Sequence, residues 1–410
     1  MYSEKTIVAL NERLRWAKHV FPKHFPSETP PVQTLDDMYH LPVLEKEQCS
    51  VASLDFANAE FCAAMASGGT SGKRTMILNS LQDYLKEGEI TAELCSSVLP
   101  HGEKKYGFAN VLAAGGFWGG GFMLFIASMS HKRFVGLNVG NRTPKEMVHQ
   151  LYGFMHENGG GLDGILIAGL PSILVAMARI VEEEGKELPV PALVYGGEGL
   201  ESAQKDYLRR VFQGATIHSI YSGSEGNLMG FSFGEDDQLL SLVHESCFVW
   251  LMDCDTHQCI LEAGKPGRVV VTNLYGSRKP FNFASNDMAI WEKVGATFRL
   301  RGRVQDMISL GNLGALRFRG QDMREKVLEI THATQCQIHI DDQQALRIVV
   351  DRMRNDHVLT RQDMLELVFS VAPFANHQLL KAQLRISIAI GEVIATAVGK
   401  TPLVIDHREV

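Results

Sequence analysis

The residues that could do chemistry fall in a few short stretches. Ser67-Gly68-Gly69-Thr70-Ser71-Gly72-Lys73-Arg74-Thr75 combines small residues, hydroxyls and a lysine. Small residues let a backbone approach a polyphosphate closely, and hydroxyls and an ammonium can then bond its oxygens. The spacing is not that of a Walker loop, which needs Gly at 67 and Ser or Thr at 74, where Ser67 and Arg74 stand. By residue type alone the stretch reads equally as a surface turn. Gly196-Gly197-Glu198-Gly199 and Ser222-Gly223-Ser224-Glu225-Gly226 each set a carboxylate among glycines. Such a carboxylate can hold a cation, although turns favour the same residues. Lys400 follows Gly399 and, taken alone, is a solvated lysine.

Two further patterns point less far. Gly159-Gly160-Gly161-Leu162-Asp163-Gly164 fits a dinucleotide fingerprint, but it precedes a strand where the fingerprint should follow one. Cys254-Asp255-Thr256-His257-Gln258-Cys259, with His244 and Cys247 nearby, invites a metal reading. Its spacing is not a standard zinc spacing, and the stretch reads better as a hairpin turn between two strands.

These residues need elements to position them. Helical periodicity over 144–156 is followed by an apolar strand at 164–169, a helix at 171–184 and a strand at 192–195. A helix at 201–212 and a strand at 216–221 complete the series. Alternating strands and helices predict a parallel α/β sheet. Its ligands bind at the carboxyl ends of the strands, where Gly196–Gly199 and Ser222–Gly226 fall. From about residue 244 the period shortens toward two, at 248–252 and 267–272, which predicts a β-rich subdomain. Beyond a break at 302–312 come a helix at 320–330, strands at 334–340 and 345–350, a helix at 360–370 and a strand at 382–388. The expected fold class is α/β: a large multi-sheet N-terminal domain over 1–304, and a small mobile α+β domain over 305–410 carrying Lys400. At the N-terminus, Leu10, Leu14 and Ala17 form one helical stripe before prolines at 22, 26, 30 and 31 break the pattern.

The 410 residues are 45% hydrophobic and 21% charged, which fits a soluble globular protein and excludes disordered or collagen-like chains. Net charge is 40 − 47 = −7, a poor match to a nucleic-acid binder. No run reaches the ~18 apolar residues of a membrane span. The best candidate, Val111 to Met129, is interrupted by glycines. The N-terminus lacks a basic region followed by an apolar core, so no secretory signal is expected. Seven scattered cysteines read as reduced cytosolic thiols, and the expected location is cytoplasmic.

The order of the motifs says more than any one of them. A candidate phosphate loop is followed by Gly197-Glu198-Gly199-Leu200, Gly223-Ser224-Glu225-Gly226 and Gly230-Phe231. An aspartate strand at Asp287, Gly302-Arg303-Val304-Gln305-Asp306-Met307-Ile308 and a terminal Gly399-Lys400 complete the series. This order resembles the adenylate-forming superfamily of acyl-CoA synthetases and adenylation domains. The leader Leu35-Asp36-Asp37-Met38-Tyr39-His40-Leu41-Pro42-Val43 is similar to that of the phenylacetate–CoA ligase branch, and the length to its short ligases such as indoleacetate–lysine synthetase. The resemblance spans the chain from about residue 35 to Lys400.

The resemblance implies ATP and Mg²⁺ as cofactors and a role for each matching residue. Ser67, Thr70, Ser71, Gly72 and Lys73 would belong to the loop that holds the β- and γ-phosphates. Gly197 and Glu198 would line the adenine and Tyr221 would stack on it. Ser224 would contact the α-phosphate and Glu225 would hold the metal. Asp287, helped by Arg303, would bind the ribose, and Lys400 would bridge the substrate carboxylate and the α-phosphate. The acid pocket would lie near Tyr106, Phe108, Phe117 and Trp118, whose aromatic rings suit a flat acid but are also ordinary core residues. The sequence departs from the family at Phe281-Asn282-Phe283-Ala284-Ser285-Asn286-Asp287, where an arginine-rich strand is usual, and at Gln305, where the hinge aspartate is usual. Expected partners are a small, aromatic carboxylic acid and an acceptor: coenzyme A, the thiol of a separate carrier protein, or an amine. A homodimer is left open, and neither nucleic acid nor membrane is expected. The alternatives are an amino-acid amide synthetase and a catalytically silent nucleotide-binding protein.

Overall fold

The computed structural model describes residues 2–45, 48, 63–66, 76–113, 119–158, 161–223, 226–276, 280–304, 307–310, 316–333, 335–341, 345–351, 360–371, 385–392 and 403–407. The element order is α1 (Glu4–Val20), α2 (Asp37–His40), β1 (Ala63–Ala66), β2 (Met76–Asn79), α3 (Leu81–Ser97), β3 (Tyr106–Asn110), α4 (Gly119–Ala127), β4 (Phe134–Asn138) and α5 (Pro144–Gly153). It continues with β5 (Ile165–Gly169), α6 (Pro171–Glu183), β6 (Ala192–Gly196), α7 (Ser202–Val211), β7 (Thr216–Ser222), β8 (Leu228–Phe231), β9 (Leu240–Leu242), β10 (Cys247–Met252), β11 (Pro266–Asn273), β12 (Phe283–Lys293) and β13 (Thr297–Arg303). The remainder comprises β14 (Met307–Leu310), β15 (Leu316–Arg319), α8 (Gly320–Thr331), β16 (Cys336–Ile340), β17 (Leu346–Val350), α9 (Arg361–Val371), β18 (Ile386–Ile390) and β19 (Val404–Asp406).

An 11-stranded mixed sheet in the order β10-β11-β12-β13-β9-β8-β7-β6-β5-β3-β4 is the backbone of the fold. The run β4-β3-β5-β6-β7 is parallel, as the alternating pattern predicts, and β8 and β9 return antiparallel. Residues alternate between its two faces. Phe108, Leu166, Ala168 and Val194 join a layer with residues of α3 and α4. Ile165, Ile167, Leu193, Tyr195 and Ile217 join another with α5, α6 and α7. Because both faces are covered, β3 and β5 are buried at every residue. Local chemistry starts the helices. Capping boxes at Ser80/Asp83 and Thr143/Glu146 open α3 and α5, and proline stands at the start of α5 and α6. α5 passes at Phe154 into a π-helical turn, so the predicted helix 144–156 ends differently from its periodicity.

At one margin of the sheet, Tyr2 satisfies the backbone of β10. Its hydroxyl donates to the Cys247 carbonyl at 3.2 Å and accepts the Val249 N–H at 3.1 Å. The leader is tied beside β12. Leu44 N donates to Asn282 O and Ala284 N to Leu44 O, each at 2.9 Å. Arg268 holds Glu45 with two bonds of 3.0 and 2.7 Å.

The chain forms two compact units. One comprises Met1–Leu200, Lys205–Ser285 and Ala289–Leu300. The other comprises Glu201–Gln204, Asn286–Met288 and Arg301–Val410, so the division falls at Leu300–Arg301 where the sequence reading put 304–305. In the second unit the four-stranded sheet β18-β17-β16-β19 packs Ile338, Ile348 and Val350 with Met323 and Val327 of α8 and Val368 of α9. No helix among the described residues is long and apolar enough to cross a membrane.

Candidate active site

The carboxyl ends of β5, β6 and β7 form one rim, because the three strands are parallel and adjacent. Helix α6 opens there with Leu170 at its N-cap, a residue with no side-chain acceptor. Glu198, from the next strand–helix connection, supplies one: its Oε2 accepts the Ser172 N–H at 3.3 Å. Oε1 of the same carboxylate is buried without a hydrogen-bond partner. A buried oxygen of this kind is an acceptor awaiting a donor. Gly197 precedes it in the left-handed region, at φ +78°, and is exposed. Glycine takes this backbone without a Cβ penalty. Gly196 lies so close to β7 that a Cβ would stand 2.6 Å from Ile220 Cγ2. The rim therefore pairs a tightly packed strand end with an open, polar loop.

Tyr221, near the end of β7, is 8% exposed and meets Phe298 edge to face at 6.0 Å. Ser224 and Glu225 lie outside the described residues, but their flanks are well held. Asn227 N donates to Asn273 Oδ1 at 2.9 Å. Arg13 of α1 reaches the same turn, donating to the carbonyls of Asn273 at 3.1 Å and Gly276 at 2.9 Å. Desolvation lowers the pKa of this guanidinium, with the Asp83 and Glu12 carboxylates opposing.

Ser67, Thr70, Ser71, Gly72 and Lys73 lie outside the described residues, in the connection between the antiparallel strands β1 and β2, where Ala66 pairs with Met76. Phe117, Trp118, Gln305 and Lys400 also lie outside them, Lys400 between β18 and β19. In the second unit the structure brings Asp287 and Arg303 together, at 3.4 Å and with both side chains partly exposed.

Tyr106 and Phe108 are core side chains. Both are essentially fully buried in the core between the sheet and α3 and α4. Tyr106 begins β3, at its amino end, with the Arg133 guanidinium 5.4 Å over its ring. Phe108 meets Phe134 edge to face at 5.1 Å. The residue at the rim end of β3 is Asn110, which bonds Gly121 O and Asn138 Oδ1 at 3.0 and 3.2 Å. The aromatic rings are core because strand alternation points 106 and 108 into one apolar layer.

The Cys254–Cys259 stretch is a hairpin turn. Asp253 Oδ1 accepts the N–H groups of Asp255 and Thr256, each at 3.0 Å, and His257 sits at φ 59°. No cluster of metal-ligating side chains occurs among the described residues. Cys95, Cys247, Cys259 and Cys336 are free thiols, and burial raises Cys95 and Cys336 to about 12.

Sequence reasoning missed the bond from Glu198 to α6. A signal was present: Leu170-Pro171 starts a helix with no capping side chain, so the cap must come from another element. It also missed Asn282. This residue is fully buried at φ 48°, accepts the Trp250 indole N–H at 2.9 Å, and donates to the carbonyls of Met38, Leu41 and Pro42 at 3.1, 3.0 and 3.2 Å.

No protein-family model matches the sequence, and no curated protein does. Solved structures do match. A 2-hydroxyisobutyryl-CoA ligase, solved in the postadenylation state with 2-HIB-AMP, is similar over 98% of this chain and 89% of its own, with TM-score 0.73 and 16% identity. An amide bond synthetase from Marinactinospora thermotolerans is similar over 81% of this chain and 66% of its own, with TM-score 0.57 and 15% identity. An O-succinylbenzoate–coenzyme A synthetase from Bacillus subtilis, solved with ATP and magnesium, is similar over 82% and 68%, with TM-score 0.57 and 13% identity. The chain thus has the α/β fold of these ligases.

Proposed function

We propose that this chain is an ATP-dependent, AMP-forming ligase. It joins a small carboxylic acid to AMP with release of pyrophosphate, then transfers the acyl group to a thiol or an amine. The observation that carries this reading is the fold match over 98% of the chain to a ligase captured with its acyl-adenylate. The order of the sequence motifs, which resembles that of the adenylate-forming superfamily, supports the same reading. The amide bond synthetase supports an amine acceptor, and the coenzyme A ligase a thiol.

Under this reading the rim of β5–β7 receives the adenine. Gly197 offers an open backbone, and the unpartnered Glu198 oxygen is an acceptor for a ligand N–H. Asp287 and Arg303 receive the ribose. The loop from Ser67 to Lys73 takes the terminal phosphates, and Ser224 the α-phosphate. Magnesium, held by Glu225, would offset phosphate charge. Lys400 brings a cation to the point where an anionic carboxylate meets an anionic phosphate. The aromatic candidates for the acid pocket are Tyr106, Phe108, Phe117 and Trp118.

The test is ATP–pyrophosphate exchange over a panel of benzoic, hydroxybenzoic, arylacetic, fused-ring aromatic, short aliphatic hydroxy and amino acids. Acid-dependent exchange with one class is expected. ATP binding with no exchange for any acid would favour the silent nucleotide-binding protein. In the same assay, Asp287→Asn is expected to raise the KM for ATP about ten-fold, the worth of a charge-assisted hydrogen bond, and to leave the KM for the acid unchanged. Equal effects on both would remove Asp287 from the ribose.

A further inference from the structure

Asp237 lies in the connection between β8 and β9, far in sequence from Gly197 and Glu198. Its carboxylate is nevertheless held by the two residues that flank their loop. Oδ2 accepts the Tyr195 hydroxyl at 2.5 Å, and Oδ1 is 2.8 Å from Lys205 Nζ. Tyr195 is the residue before Gly196 in β6, and Lys205 lies in the first turn of α7. One buried carboxylate therefore ties both stems of the stretch from 196 to 204. The Asp237 and Lys205 side chains are only 4% and 10% exposed.

The carboxylate is itself fixed. The Asp237 carbonyl accepts the Ser219 hydroxyl at 2.5 Å, and Ser219 lies opposite Tyr195 in the β6–β7 ladder. Ser219 N donates to Ser232 Oγ at 2.6 Å, and Ser232 N to Ser219 O at 3.0 Å. The neighbouring Asp236 is ion-paired with Arg299 at 2.5 Å, which holds its carboxyl below the usual range.

Stability alone is a poor reason for this arrangement. A buried ion pair roughly breaks even against well-packed apolar side chains, and this one adjoins a layer containing Leu193, Leu208 and Ile217. Directional, charge-assisted bonds supply a fixed geometry that apolar packing does not. We infer that Asp237 is a positioning residue that clamps both stems of the 196–204 stretch and so preorders Gly197 and Glu198 for the adenine of ATP. The inference rests on the ligase reading above. Asp237 acts through Tyr195 and Lys205 and touches no ligand itself.

The test uses Tyr195→Phe and the double variant Asp237→Asn/Lys205→Met, which removes both charges together. Tyr2→Phe is the control, since it deletes a hydroxyl with two backbone bonds at the margin of the sheet. Two quantities are read in the full chain: amide hydrogen exchange over 196–204 without ligand, and the KM values for ATP and acid. Both clamp variants are expected to speed the loop amides about ten-fold. They should raise the KM for ATP about ten-fold while the KM for the acid stays within about two-fold. Tyr2→Phe should lower the melting temperature and leave the loop amides and both KM values unchanged. Clamp variants that only lower the melting temperature, with loop amides unchanged, would overturn the clamp. A wild-type chain that neither binds ATP nor exchanges pyrophosphate would instead overturn the ligase reading, and the exchange of the loop amides would still decide the clamp.

Discussion

Lys400→Ala is expected to lower acid-dependent ATP–pyrophosphate exchange by about a thousand-fold, the upper range for removing one preorganised group that stabilises transition-state charge. Adenylation presses a carboxylate onto the α-phosphate, so negative charge accumulates at the reacting phosphorus. Under the proposed function the Lys400 ammonium would offset it at that point, and its absence should lower the turnover number more than it weakens ATP. Binding of ATP, measured by calorimetry, should change by less than about three-fold, because under the proposed function most phosphate contacts would lie elsewhere. Lys400→Arg should recover little, since a planar guanidinium does not replace a compact ammonium. Exchange at the wild-type rate in Lys400→Ala would remove this lysine from the chemistry.

The second large effect concerns stability. Asn282→Asp should destabilise the chain by about 3–5 kcal/mol, the range for an uncompensated buried charge. The Asn282 amide nitrogen faces three carbonyl oxygens, those of Met38, Leu41 and Pro42. A carboxylate there has no proton to give and repels all three. Burial and those carbonyls favour the neutral acid, so the folded-state pKa of the new carboxyl lies above its unfolded value. The deficit should therefore be full at neutral pH and narrow as pH falls toward about 4, where the unfolded carboxyl also takes up its proton. Urea unfolding at pH 7 and pH 5 measures both. A loss under about 1 kcal/mol at pH 7 would mean that the leader is held without this amide.

Asn282 also explains a departure that looked like a loss. Where the superfamily that the sequence resembles carries an arginine-rich strand, this chain has Phe281-Asn282-Phe283. The structure gives the asparagine a framework task, joining β10 through Trp250 to the leader that runs beside β12. Such a role cannot be read from the sequence, because its partners lie 32 to 244 residues away.

The elements themselves were far more legible. The strands at 165–169, 192–196 and 216–222 and the helices between them follow from local periodicity, and periodicity is local information. Tyr106 and Phe108 carry no local signal of their surroundings: aromatic type suits a pocket and a core alike, and only the packing of α3 and α4 onto their strand decides what covers them. The candidate site divides the same way. Gly197 and Glu198 were placed at a strand end because glycine and carboxylate after an apolar run carry a local signal. Asp237 and the cap on α6 were not, because each is a bond between loops whose meeting the global topology decides.

Tyr2 has a consequence for how the protein behaves in company. Among the described residues strand β10 is the outermost of its sheet, and an outermost strand offers free amide and carbonyl groups to any passing chain. One phenol hydroxyl occupies two of those groups, the Cys247 carbonyl and the Val249 amide. Its ring shields more of the strand by packing against Phe248 at 5.1 Å. The segment leading into the first helix thus acts as a guard against strand-to-strand self-association.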